Sequence, residues 1–175
     1  MKLLILFCFI FGSFVSVSAD ELPAREQAKG KPEKILAGIN IDRSRISDII
    51  KLYGKPAKVR TDPKPPNLNV VETHHYYWSK SSTRLHVAMY GEYMGFIEVQ
   101  GAPSSSQMVR TGKGLKIGDD LADVRRIYGP RFRVRNIPHL KIHDVMIQWR
   151  TQEYSLVADL DEKGRIKSLI LSAPE

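Results

Sequence analysis

The sequence predicts an α+β fold of two tandem repeats, each a short helical segment packed on an antiparallel β-meander, the two able to share one continuous sheet. Three observations predict it. The stretch Gly38–Arg60, GINIDRSRISDIIKLYGKPAKVR, returns as Gly114–Arg135, GLKIGDDLADVRRIYGPRFRVR. With one residue looped out of the first copy, Gly38 aligns with Gly114, Asp48 with Asp123, Tyr53-Gly54 with Tyr128-Gly129 and Val59-Arg60 with Val134-Arg135. Self-similarity of this kind marks a repeated structural unit. Within each copy the apolar residues follow a helical period, and after each copy come three runs of strand-like residues separated by turns.

Taken in order, the chain opens on an export segment, residues 1–19. Lys2 supplies the positive start, Leu3–Phe14 is apolar apart from Gly12 and Ser13, and Val17-Ser18-Ala19 is a small-residue cleavage site. The run is shorter than the roughly 18–20 residues that span a bilayer, so no transmembrane segment is expected after cleavage. Cys8 lies inside that run, and the remainder of the chain has no cysteine. Disulfides are therefore excluded, and stability must come from packing. The net charge is +8, or +7 once Lys2 is removed, since 26 basic then face 19 acidic side chains. A basic exported protein is drawn to anionic surfaces and acidic partners.

Residues 20–34, DELPAREQAKGKPEK, have charge, Ala, Gly and Pro but no apolar period, and read as a flexible leader. The first unit is 35–100. In it Ile46, Ile49, Ile50 and Tyr53 share one helix face, with Ser44 as N-cap candidate and Gly54 as a left-handed stop before Pro56. Residues 101–110, beginning Gly-Ala-Pro-Ser-Ser-Ser, read as a linker, and the second unit is 111–175. Asp119 caps its helix, Leu121, Val124, Ile127 and Tyr128 face the core, and Gly129-Pro130 ends it. Helices this short do not persist alone in water, so each must lie on a sheet. Val70–Ser79, Leu85–Tyr90 and Phe96–Gln100 supply the strands of the first unit, and Ile142–Arg150, Tyr154–Leu160 and Arg165–Leu171 those of the second. A further short strand is expected at Lys58–Arg60 and again at Arg133–Arg135.

Gly114, Ile117, Asp119, Asp123, Tyr128-Gly129, Trp149 and Asp161-x-x-Gly164-x-Ile166 together resemble the repeat of the β-lactamase inhibitory protein superfold. They are similar also to small outer-membrane assembly lipoproteins of the SmpA/OmlA type. The resemblance covers nearly all of 35–175. It implies a helix-on-sheet repeat, and its motif residues are caps, turns and core. The chain departs from the lipoproteins in lacking a lipidated cysteine and from the secreted inhibitor in lacking cysteines after the export segment, so neither activity transfers to particular residues.

Chemistry-bearing residues are few. His74 and His75 are adjacent in a strand and point to opposite faces, so they cannot chelate one ion. His139 and His143, if extended, lie about 13 Å apart, too far for two zinc ligands at roughly 2 Å each. No HExxH, GxSxG or phosphate-cradling glycine loop occurs, and Ser104-Ser105-Ser106 falls in the linker. No metal, cofactor or catalytic activity is therefore expected. Asp48 and Asp123, one turn into each helix, suit the helix dipole.

Two surfaces remain as binding candidates. Arg131, Arg133 and Arg135 share one face of an extended segment and could grip an anion, with a solvated, aggregation-resistant sheet edge as the plainer account. Nucleic acid is the least favoured anion for an exported chain. Alternation from Trp78 places Trp78, Tyr76 and His74 under the helix and puts His75, Tyr77, His86 and Tyr90 on the opposite, helix-free face. Exposed Tyr and His clusters suit protein binding, while a second covering layer or cross-strand packing would equally use them. The expectation is an exported, periplasmic or secreted, non-enzymatic module that binds another protein through that face. The alternative is an envelope structural or assembly factor at the outer membrane, where an anionic envelope surface would be a partner too.

Overall fold

The computed structural model describes residues 28, 30–63, 72–103, 109–138, 142–149 and 153–174. The stretch read as an export segment, Ser104–Ser106 and His139 lie outside the described residues. Among the described residues the first elements are a two-stranded ribbon, β1 (Ile35–Leu36) and β2 (Ile39–Asn40), then α1 (Ile46–Tyr53). Four strands follow: β3 (Lys58–Asp62), β4 (Thr73–Lys80), β5 (Thr83–Tyr90) and β6 (Tyr93–Gln100). The second helix, α2 (Leu121–Tyr128), precedes β7 (Arg133–Ile137), β8 (Ile142–Gln148), β9 (Ser155–Leu160) and β10 (Ile166–Ser172). The fold is α+β.

All eight long strands join one antiparallel sheet in the order β3-β4-β5-β6-β10-β9-β8-β7. Each half is thus a helix and a four-strand meander, the halves meeting where β6 pairs β10. The register there is Ser168↔Gln100 through Ser172↔Phe96. Strands β3 and β7, expected as short accessories, form the two outer edges.

The period-2 pattern sends alternate residues to one side, where Leu85, Val87, Ile97, Val99, Leu169 and Leu171 are fully buried. Val145, Ile147, Leu156 and Ala158 continue that core in the second half. Ile49 of α1 and Val124 and Tyr128 of α2 pack into the same cluster, as do Leu36, Ile39 and Ile41 around the ribbon. The two tryptophans tie sheet to helix. Trp78 donates its indole N–H to the Gly54 carbonyl at 2.8 Å, and the Trp149 ring meets Tyr128 edge-on at 5.9 Å.

The helix ends differ by one residue from the sequence expectation. The N-caps are Arg45 and Asp120, not Ser44 and Asp119. Ser44 Oγ instead accepts the Asn40 N–H at 3.0 Å, and an Asp119 carboxylate oxygen accepts that of Lys116 at 3.0 Å. Asp48 and Asp123 take the same job in both helices, each accepting the N-cap N–H, at 3.0 and 3.3 Å. This is the reciprocal half of a capping box. Gly54 and Gly129 stop the helices at φ 81 ψ −171 and φ 82 ψ −176. Those angles are not the left-handed helical pair expected. They belong to an extended positive-φ region that only glycine enters without strain.

The end of the stretch read as a leader is built into the fold. Glu33 is 3% exposed. Its carboxylate accepts the N–H groups of Lys34 and Ile35 at 3.0 Å, that of Lys113 at 3.1 Å and the Tyr128 hydroxyl at 2.8 Å. A buried carboxylate is tolerable only with such saturation. Burial first, then the Glu33 charge, holds the Tyr128 phenol well above its usual value. Val109, in the stretch read as a linker, is fully buried as well.

Candidate functional site

The face of the sheet turned away from both helices carries the other half of every strand. Its residues stand in rows set by the registers. One row crosses the whole sheet: Lys58–Tyr77–His86–Glu98 in the first half and Ile170–Val157–Met146–Arg133 in the second. It therefore has a cation at each end, with aromatic groups and the Glu98 carboxylate in the first half and aliphatic groups in the second, of which Met146 is buried. The neighbouring row contributes Arg60, His75, Ala88 and Phe96. Among the described residues no helix lies over this face.

Aromatic packing organises the first half. Tyr77 stacks on His86 at 4.3 Å between ring centroids, and Phe96 meets His86 edge-on at 4.9 Å. The Lys58 ammonium sits 5.9 Å from the centre of the Tyr77 ring, within cation–π reach. A cavity of about 280 Å³ opens at this end, with Tyr77, Arg84, His86, Glu98 and Gln100 in its wall.

Of the four residues assigned to this face by alternation, three cluster. Tyr77 and His86 are half-buried and lie side by side. His75 is on the expected face but is only 6% exposed, which corrects its expected exposure. Its ring lies 5.2 Å from that of His86 and 6.5 Å from that of Tyr77, so neighbouring rings take the place of solvent. Tyr90 stands apart at the strand end, opposite Thr73, with its ring lying over Gly95. A Cβ at Gly95 would come within 2.3 Å of that ring.

Polar contacts join residues that sequence reasoning passed over. His75 Nδ1 is 3.0 Å from His86 Nε2. His75 Nε2 lies 3.2 Å from an Asp62 carboxylate oxygen, and His86 Nδ1 lies 3.2 Å from one of Glu98. Arg60 pairs with Asp62 at 3.0 Å. Burial first and the Arg60 charge second push the His75 imidazole below its ordinary value. Asp62 and Glu98 could be found from sequence only by counting alternate positions across aligned strands.

The arginine triad separates. Arg135 makes a two-pronged contact with Asp144, at 2.8 and 2.6 Å, and Asp144 is buried. This corrects the expected three-arginine anion site, because that guanidinium is already occupied. Arg131 precedes the edge strand, and Arg133 stays exposed at the end of the long row.

No protein-family model matches the chain, and no curated protein matches it. Among solved structures it is similar to a cysteine-rich secretory protein from Staphylococcus aureus, at TM-score 0.50 and 13% identity. The match covers 84% of this chain and 49% of that one, so the chain spans about half that structure's length. At such identity the likeness is one of fold. A DUF4309 family protein from Bacillus subtilis matches at TM-score 0.46 and 16% identity over 78% of this chain and 83% of its own. A candidate β-lactamase inhibitor protein from Streptococcus mutans matches at 0.35 and 14% over 82% and 92%. These last two are too distant to carry function. Among the described residues no helix is long and apolar enough to cross a membrane.

Proposed function

We propose that the protein is an exported, non-enzymatic binding module that holds a partner protein against the helix-free face of its sheet. The observation behind this reading is the row from Lys58 to Arg133, whose interior is aromatic and aliphatic apart from Glu98, which is paired with His86, and whose ends are cationic. An apolar centre with a charged rim is how protein interfaces are built. Among the described residues no salt bridge engages Lys58, Arg84 or Arg133. With a net charge of +8, the complementary partner is a protein segment bearing apolar side chains flanked by carboxylates.

The test uses the purified protein as bait for the envelope and secreted fractions of the cells that make it. A specific protein should be retained at low salt and shed as salt screens the rim charges. Lys58→Glu combined with Arg133→Glu should abolish retention, as should Val157→Asp, while Lys51→Glu on α1 should leave it intact. Retention undiminished in the sheet-face variants would overturn the reading. Whether the retained protein is a soluble enzyme or assembly machinery decides between an inhibitor-like role and the envelope-assembly alternative.

A further inference from the structure

Asp62, His75, His86 and Glu98 come from four consecutive strands of the sheet, β3 to β6, and make three contacts in sequence. These are Asp62 to His75 Nε2 at 3.2 Å, His75 Nδ1 to His86 Nε2 at 3.0 Å, and His86 Nδ1 to Glu98 at 3.2 Å. Each contact needs one proton. A neutral imidazole carries one N–H, and a carboxylate carries none. Two neutral rings therefore leave one of three contacts without a proton. His75 Nε2 is the buried atom of the three contacts left without a well-aligned hydrogen bond, although Asp62 lies 3.2 Å away. One added proton supplies the missing donor. A second puts N–H against N–H at the 3.0 Å contact, and the rings must part.

Resting on the reading of this face as the partner site, we propose that the row is an acid-operated latch. The histidine pair keeps at most one added proton within the fold, and further protonation frees edge strand β3 and breaks the Tyr77–His86 stack, withdrawing the partner site. Burial and then Arg60 disfavour a charge on His75, against the pull of Asp62. Edge strand β3 presents Lys58, Arg60 and Asp62, β4 presents Tyr77, β5 presents Arg84 and His86, and β6 presents Glu98.

The direction follows from linkage. Closed, His75 titrates below the ordinary imidazole value of about 6.5. Opening β3 returns it to that value, so the open form binds the proton more tightly. Acidification therefore promotes opening from about pH 6.5 down to the depressed value of the closed form, and adds nothing below it.

Two measurements on the full protein test the latch: an NMR titration of the histidine rings, and amide exchange of Lys58–Asp62. The His75 ring should titrate below the ordinary imidazole value. Amide protection in β3 should fall by up to about tenfold per pH unit below about pH 6.5. In His75→Gln the group whose proton affinity changes on opening is gone, so β3 protection should stay level through the same range. A His75 ring that titrates at the ordinary value with unchanged β3 protection would overturn the proposal, as would acid loosening that persists in His75→Gln. Neither readout involves a partner. Failure here leaves the binding face standing, and failure of the Lys58→Glu and Arg133→Glu test leaves the proton chemistry standing.

Discussion

Trp78→Ala should cost about 3–5 kcal/mol of folding stability, read as a fall in the urea midpoint with little change in slope. The ring is 5% exposed, lies on the core side of β4 and also donates to the helix stop at Gly54. Its loss leaves a cavity and an unmatched carbonyl together. Tyr77→Ala, one residue earlier, should cost far less, because that ring stands on the opposite face over Lys58 and His86. A domain of ordinary stability has only about 5–15 kcal/mol to lose, so the first variant approaches unfolding and the second does not. Equal losses would mean that both faces of the sheet are covered.

Arg135→Leu should be nearly as damaging, at about 3–5 kcal/mol. The Asp144 side chain is 5% exposed and has Arg135 as its cation at 2.6 Å. Across the next strand it faces Asp159, so removing the guanidinium leaves two carboxylates opposed on adjacent strands. Replacing Arg135 and Asp144 together with leucine should recover much of the loss, since the buried carboxylate goes with its cation and Asp159 keeps its hydrogen bond from Ser168. Chemical denaturation of the three variants checks it. A neutral Arg135→Leu would return the residue to the role of a solvated edge charge.

These two cases show how far the sequence could be read. Alternation alone assigned Trp78 and Tyr77 to opposite faces, because side chains in a strand repeat every second residue whatever the surroundings. Periodicity likewise placed both helices, and Asp48 and Asp123 take the matching position in each. Exposure was harder. Alternation says which side His75 occupies but not that His86 and Tyr77 rings would close over it. Arg135 reads as a free cation until the β7–β8 register sets it opposite Asp144. Register depends on turn geometry, and residues 138–141 between those strands offer Pro138 but no glycine, Asn or Asp to fix the turn type. Glu33 was invisible for a different reason. A charged residue beside Pro and Lys reads as solvated, and only the tertiary fold brings Lys113 and Tyr128 to its carboxylate.

The central claim is that a partner sits on the helix-free face, and site-specific photo-crosslinking addresses it most directly. A photoreactive phenylalanine analogue at Val157, in the middle of the long row, samples that face. The same group at Leu52, which is 57% exposed on α1, samples the helix side. With the retained protein present, the account predicts an adduct from position 157, competed away by salt, and none from position 52. An adduct from position 52 alone would contradict it.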